Sequence, residues 1–360
     1  MINFVIITHM TEELILIEKL NENHVLSERE WVTLLSSKSL EGFLFLQEKA
    51  RATTSETFHN NIYIRGLIEF TNICQNDCYY CGIRKSNAHV SPYRLSKQEI
   101  LSCCREGYQL GFRTFVLQGG EDPYYTDAIL VDIISNIRQE YPDCAITLSI
   151  GERSRDSYKR LYEAGANRYL LRHETACEKH YSMLHPKNQS YVNRITCLHN
   201  LKEIGYQVGA GFMVGSPGQT VETLAKDMIF LSKFQPHMVG IGPFIPHRDT
   251  PLTNYPAGSV SDTLYLLSLI RLTLPKVLLP ATTALATLNP TGRQQGVLSG
   301  ANVVMPNLTP SQLKDRYTLY DHKLSSGAES ADGLELLKQQ MAEIGYRIVE
   351  NRGDSPMASV

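Results

Sequence analysis

Three cysteines fall within eight residues in "EFTNICQNDCYYCGIRK", Glu69 to Lys85: Cys74, Cys78 and Cys81, spaced C-x3-C-x2-C with Tyr80 before the third. Thiols this close together make a zinc site, a disulfide or an iron–sulfur site. Structural zinc takes four closed ligands, usually as two C-x2-C halves, and no second half follows. A [4Fe–4S] cube held by three thiolates leaves one iron open to a small molecule, whereas an electron-carrying cluster has all four irons capped. The count of three therefore points to a cluster that does chemistry. Of the other five cysteines, Cys103, Cys104 and Cys197 fall in helical patterns, Cys144 precedes a strand, and only Cys177 lies near the other reactive residues.

Those other residues follow short apolar runs. "QGGED" (118–122) comes after "TFVLQ" (114–118), "SIGE" (149–152) after "AITLS" (145–149), and "RHET" (172–175) after "RYLLR" (168–172). "VGSPGQT" (214–220) ends "QVGAGFMV" (207–214), "GPFIPH" (242–247) follows "MVGIG" (238–242), Thr282 and Thr283 end "KVLLPAT" (276–282), and "MPN" (305–307) closes "NVVMP" (302–306). With "IYIRGLIEF" (62–70) before the cysteines, that makes eight strand candidates. Helical patterns separate them at 96–111, 127–141, 155–165, 191–205, 220–234 and 262–274, the first opening with a capping box from Ser96 to Glu99. Strands alternating with helices predict parallel βαβ units. Eight units over roughly 250 residues predict an α/β fold, a (β/α)8 TIM-type barrel. The loops after the strands carry glycines, carboxylates and an arginine, and the opposite ends read as simple turns. That asymmetry is expected of an enzyme, because one face of such a barrel is built by the βα loops. Alternation puts Arg172 and Glu174 on one face and His173 on the other. An inward Arg and carboxylate either pair with each other or with Glu152, or hold ligands.

The barrel is expected over residues 61–320. A helical N-terminal extension, with its own capping box at Ser27 and Glu30, precedes it over 1–60, and a closing helix with a frayed polar tail follows over 321–360. Residues 1–9 lack the basic leader of a secretory signal and read as an extension from a misassigned start, before an ordinary soluble start at Met10. The 360 residues carry 35 basic and 37 acidic side chains, a net charge of −2, which argues against nucleic-acid or membrane partners. No apolar run reaches the length of a membrane span, and clustered thiols without an export signal point to a reducing, cytoplasmic setting.

The cysteine spacing, with Tyr80 before Cys81, resembles the signature of the radical S-adenosylmethionine (SAM) superfamily. The resemblance implies one [4Fe–4S] cluster on Cys74, Cys78 and Cys81, SAM chelated to the open iron, and one-electron cleavage to a 5′-deoxyadenosyl radical, in anaerobic chemistry. It assigns SAM contacts to Tyr80, Gln118, Gly119, Gly120, Glu121, Ser149, Glu174, Arg194, Gly211, Met213 and Gly215. Each glycine motif taken alone is equally a plain turn or a tight strand. The runs "YIRGLIEFTNICQNDCYYCGIR", "FVLQGGEDPYY", "GYQVGAGFMVGSPGQT", "LPATTALATLNPTGR" and "GANVVMPNLTP" resemble the HydE family of [FeFe]-hydrogenase maturases over about residues 60–320. That likeness implies a small iron–carbonyl–cyanide–cysteine substrate contacted by Arg172, Thr282, Thr283, Met305, Tyr317 and Tyr320. Tyr317 and Tyr320 would share a face if helical, and Met305 is equally a core residue. It implies as partners a tyrosine-cleaving maturase, a GTPase scaffold and reduced ferredoxin or flavodoxin as electron donor. Some members carry a second cluster on three more cysteines after the last strand, and "YDHKLSSGAESADG" has none, so a single cluster is expected. Biotin synthase and methylornithine synthase share this barrel. A non-catalytic iron–sulfur carrier is the alternative from another class, and the full set of SAM-like motifs counts against it.

Overall fold

The fold is that of a computed structural model, and it describes residues 10–358. The extension expected at 1–9 lies outside the described residues. Eleven short strands occur: β1 (Asn61–Ile64), β2 (Gly66–Thr71), β3 (Thr114–Gly119), β4 (Ala145–Ser149), β5 (Arg168–Leu170), β6 (Gln207–Ala210), β7 (Met213–Val214), β8 (Met238–Val239), β9 (Gly242–Pro243), β10 (Val303–Val304) and β11 (Arg347–Val349). A parallel sheet runs β2-β3-β4-β5-β6-β8. Single parallel bridges carry it on, Met238 to Leu278, Pro280 to Val303 and Leu67 to Asn307, while β10 pairs with β1. The ring so closed is the expected TIM-type barrel.

The strands differ from their expected extents where the backbone cannot hold a ladder. The run 62–70 divides at Arg65 because its halves pair with different neighbours, β10 and then β3. The run 207–214 breaks at Gly211, whose φ is +150°, and 238–242 breaks at Gly240. A Cβ on Gly211 would come 2.0 Å from the carbonyl of Gly240, so the two chains meet where only glycine fits. Beyond the break, β7 and β9 pair again as a separate two-stranded ribbon. The run 276–282 makes only the bridges at Leu278 and Pro280, and proline has no N–H to give a ladder.

Helices cover the ring at Lys97–Gln109, Asp127–Glu140, Arg155–Glu163, Tyr191–Ile204, Val221–Phe234 and Val260–Thr273, as the apolar periodicity requires. The Ser96–Glu99 and Ser27–Glu30 capping boxes both form. Val260–Thr273 is buried from Thr263 to Thr273. A helix apolar on every side needs cover on its outer face, and the N-terminal helices Glu12–Asn23, Glu28–Ser36 and Leu40–Phe58 provide it. Lys38 reaches Asp262 at 2.6 Å, and Gln47 Nε2 donates to Ser299 at 2.8 Å. Arg271, fully buried, donates to the carbonyls of Pro275, Val277 and Gly300, fixing the turns around the seventh strand position.

The C-terminal tail departs from expectation. Residues 347–349 form β11 alongside β1, and 351–358 dock under the barrel instead of fraying. The reason is charge. Arg168, almost wholly buried at the start of β5, donates to Asp354 Oδ1 at 2.7 Å and to the Arg352 carbonyl at 2.8 Å. Gln207 Nε2 also donates to Asp354 at 2.7 Å. Burial would raise the Asp354 carboxyl, but Arg168 and these hydrogen bonds outweigh it and hold the group below its ordinary value. A depressed aspartate stabilises the fold above its unfolded value of about 4 and loses that contribution as pH falls through the folded one. Asp354→Asn is therefore expected to cost about 1–2 kcal/mol at pH 7 in urea unfolding, a modest figure because the carboxylate keeps part of its surface in water. The gap from the parent should close as pH falls through the lowered value of the Asp354 carboxyl; a gap constant across pH would contradict the pairing.

Candidate active site

The reactive loops gather at the C-terminal end of the barrel strands, around a cavity of about 390 Å³. The cysteine loop follows β2, and its three thiols are free. Cys74 Sγ accepts the backbone N–H groups of Asn76 and Glu121, each at 3.4 Å. Cys78 donates to Gln189 Oε1 at 3.3 Å, and Cys81 lines the cavity. Burial pushes the Cys78 thiol up to about 12 and raises Cys74 and Cys81. Among the described residues, no three His, Cys, Asp or Glu side chains converge as a ligand set as they stand. A metal group would have to draw the sulfurs together and displace their protons.

The glycine loop after β3 lies against the cysteine loop. A Cβ at Gly120 would meet the Ile73 carbonyl at 2.2 Å and Cys74 Cβ at 2.8 Å, so glycine is what allows the two loops to touch. Gly119 and Gln118 line the cavity, as does Ser149 at the end of β4. Glu121 does not line it: its carboxylate accepts the Glu152 N–H at 2.9 Å and lies over Gly151. Burial raises the Glu121 carboxyl.

Arg172 and Glu174 face the cavity together, 3.2 Å apart, and His173 points away from it, as alternation predicts. His173 Nδ1 accepts the Gly211 N–H at 3.2 Å, so Nε2 carries the proton, 3.3 Å from Asp227 Oδ1. The Glu174 N–H donates to the Gly211 carbonyl, and Glu174 itself holds φ +63°. A non-glycine residue in that region is strained by roughly 1–3 kcal/mol, and here the strain aims a carboxylate into the cavity. The pair is not self-sufficient. Arg172 Nη2 and Glu174 Oε2 meet only each other, as an ion pair without hydrogen-bond geometry, and Arg172 Nε and Thr282 Oγ1 are buried without a partner. Buried polar groups in this condition are the exception, and they mark a place where a ligand can complete them. Arg194 lines the same wall and is held by Glu152 at 2.5 Å and by the Arg172 carbonyl at 2.9 Å.

Met213, Thr283, Met305, Tyr317 and Tyr320 also line the cavity, and Met305 packs besides against the cluster of Phe58, Met238, Leu278 and Val303. The two tyrosines do not share a helix face. The helix there is Ser311–Lys314, and both tyrosines lie on the irregular segment beyond it, which covers the cavity. Gly211 and Gly215 stand behind the wall, with a Cβ at Gly215 meeting Gly258 Cα at 2.6 Å. The sequence reading missed two further charged pairs in the lining. Lys323 Nζ reaches Glu69 Oε1 at 2.5 Å, with Asn307 Nδ2 on the other oxygen at 2.8 Å, and Arg293 pairs with Glu329, which also accepts from Thr283 Oγ1. Glu69 carried a signal, a lone acid inside an apolar strand. Lys323 and Glu329 carried none, since Lys323 sits in irregular chain and Glu329 ends the single 3-10 turn Gly327–Glu329.

Comparison with known proteins follows this geometry. Residues 68–231 match the radical SAM superfamily. The [FeFe] hydrogenase maturase subunit HydE of Thermotoga maritima is 47% identical over 265 residues, 74% of this chain and 75% of that one. The 3-methylornithine synthase of Methanosarcina acetivorans is 29% identical over 309 residues, 85% of this chain and 87% of that one. Among solved structures, methylornithine synthase (PylB) superposes with a TM-score of 0.82 at 28% identity, covering 93% of this chain and 97% of that one. The contact at Gly120 yields a prediction. Gly120→Ala is expected to part the two loops and at least halve the iron retained after anaerobic reconstitution, with the far-UV circular dichroism unchanged; full iron retention would show that the contact does not set the loop.

Proposed function

The chain belongs to the HydE family of radical SAM enzymes, and on that premise we propose that it serves assembly of the [FeFe]-hydrogenase active site, acting on a small iron–carbonyl–cyanide–cysteine precursor in the barrel cavity. It is an enzyme, and its cofactors are a [4Fe–4S] cluster and SAM. When bound and reduced, they supply a 5′-deoxyadenosyl radical.

The residues fit these groups. Three free thiols on one loop, kept against the glycine loop by the Gly120 contact, would hold the cluster. Glu174, in the cavity lining, would accept an ammonium, and Arg194 would meet a carboxylate. The observation that carries the substrate reading is an Arg172 guanidinium whose Nε has no hydrogen-bond partner and a Thr282 hydroxyl likewise without one, both lining the same cavity. A guanidinium and a hydroxyl in one cavity are suited to a carboxylate or another small anion. Arg172 would orient the precursor, and Thr282 and Thr283 would fix its far side. Tyr317 and Tyr320, in the lining, would close over it and exclude bulk water. Keeping a dry wall matters because a radical is quenched by stray hydrogen donors and because charges act more strongly there. A tyrosine-cleaving maturase would supply the precursor, a GTPase scaffold would receive the product, and ferredoxin or flavodoxin would give the electron. Among the described residues, no helix is long and apolar enough to cross a membrane.

The likeness to methylornithine synthase gives a second reading, with lysine in the cavity. One reconstituted assay decides between them. Reduced, cluster-loaded protein with SAM should release 5′-deoxyadenosine and support hydrogenase maturation with the other maturases present. Formation of 3-methylornithine from lysine would instead select the second reading. Anaerobic loading should give about four irons per chain, and six or more would contradict a single cluster. Cys78→Ala should abolish 5′-deoxyadenosine formation. Arg172→Leu should raise the precursor concentration at half-maximal rate about tenfold or more, the loss of one charge-assisted hydrogen bond of about 1.5–3 kcal/mol.

A further inference from the structure

The segment from Leu184 to Gln189 touches the cysteine loop at three consecutive places. The Tyr79 N–H donates to the Leu184 carbonyl at 2.9 Å. The Tyr80 hydroxyl meets His185 Nε2 at 3.2 Å. His185 Nδ1 faces the Tyr181 carbonyl at 3.0 Å, so Nδ1 carries the proton and Nε2 accepts from Tyr80. The ring of His185 is stacked on Tyr181 at 3.9 Å, which fixes its plane. The third contact is the one from Cys78 to Gln189 Oε1. The Gln189 N–H closes a turn onto the Pro186 carbonyl at 2.9 Å, one residue before the N-cap Ser190 of the helix Tyr191–Ile204, which carries Arg194.

The three cysteines are therefore not equivalent. Cys74 is met by two backbone amides of the reactive loops. Cys78 is met by a side chain 111 positions away. A primary amide suits this position because it serves both states of the sulfur. Its oxygen accepts from a thiol. Turned over, its NH2 donates to a thiolate within the same volume. A hydrogen bond to a ligating sulfur stabilises the more negative state of a cluster and so raises its reduction potential.

We propose that Gln189 is a positioning residue for the cluster, donating its amide N–H to the Cys78 sulfur and raising the potential at which the cluster accepts its electron. The inference rests on the reading that Cys74, Cys78 and Cys81 hold a [4Fe–4S] cluster, and its test separates the two. The test is an anaerobic redox titration of the reconstituted full-length protein, read by the EPR signal of the reduced cluster, beside iron and thermal-stability assays. Gln189→Met keeps the length of the side chain without a donor. It should retain the parent's iron and melting temperature, yet show an about tenfold lower ratio of reduced to oxidised cluster at a fixed poise near the parent midpoint, equal to a midpoint about 59 mV lower for a one-electron couple. Gln189→Glu, which offers only acceptor oxygens when ionised, should shift in the same direction at least as far. Iron retained with an unchanged midpoint in Gln189→Met would overturn the proposal. Iron lost from Gln189→Met at an unchanged melting temperature would also overturn it, since the residue would then serve loading and not tuning. Failure of the parent itself to hold iron would refute the cluster reading instead.

Discussion

Charge in a water-poor cavity must be paired, and that constraint shapes the working end of this barrel. Four cation–carboxylate pairs surround the cavity: Arg172 with Glu174, Arg194 with Glu152, Lys323 with Glu69, and Arg293 with Glu329. Removing one partner of such a pair typically costs about 3–5 kcal/mol, because the other is left buried and unmatched. The pairs differ in how completely they satisfy each other. Lys323 and Glu69 are closed by Asn307 and the Tyr317 carbonyl. Arg172 and Glu174 meet each other at 3.2 Å in the cavity lining, with Arg172 Nε left without a hydrogen-bond partner. Lys323 and Glu69 act as a wall, and Arg172 with Glu174 is where a ligand has most to gain.

Close backbone approach is the second requirement. Reactive loops from different strands can meet only where no side chain intrudes, and glycine stands at two such meetings, Gly120 against the cysteine loop and Gly211 against Gly240. The second meeting has a consequence for the wall. Breaking the strand at Gly211 frees its N–H and carbonyl for His173 and Glu174. Those bonds hold Glu174 in a backbone conformation that it would otherwise avoid. Buried Asp227, accepting the Ala176 N–H at 2.5 Å and facing His173, fixes this turn from behind.

The ends of the chain solve packing problems that the barrel leaves open. The N-terminal helices cover a helix that is apolar all round. The tail brings Asp354 to the buried guanidinium of Arg168. Both additions lie away from the reactive face, so the loops there are free to differ in the chemistry they hold.

Local pattern settled much of this in advance. Alternating apolar runs gave the eight-fold parallel barrel, the serine–glutamate spacings gave the helix starts at Lys97 and Glu28, and period-two alternation placed Arg172 and Glu174 on the inner face. Each is legible because it depends on neighbours within a few residues. The cysteine spacing, and the wider likeness it led to, pointed to three candidate cluster ligands and to residues up to Tyr320, most of which line the cavity, with Glu121, Gly211 and Gly215 among those outside its lining. What sequence could not give were relations between distant segments. The tail's docking depends on Arg168 and Asp354, the closure of the cavity depends on Lys323 and Glu69, and the Cys78 contact depends on Gln189. No periodicity connects such positions. Only the folded chain decides which buried charge or sulfur is left wanting a partner, and which remote side chain is close enough to supply it.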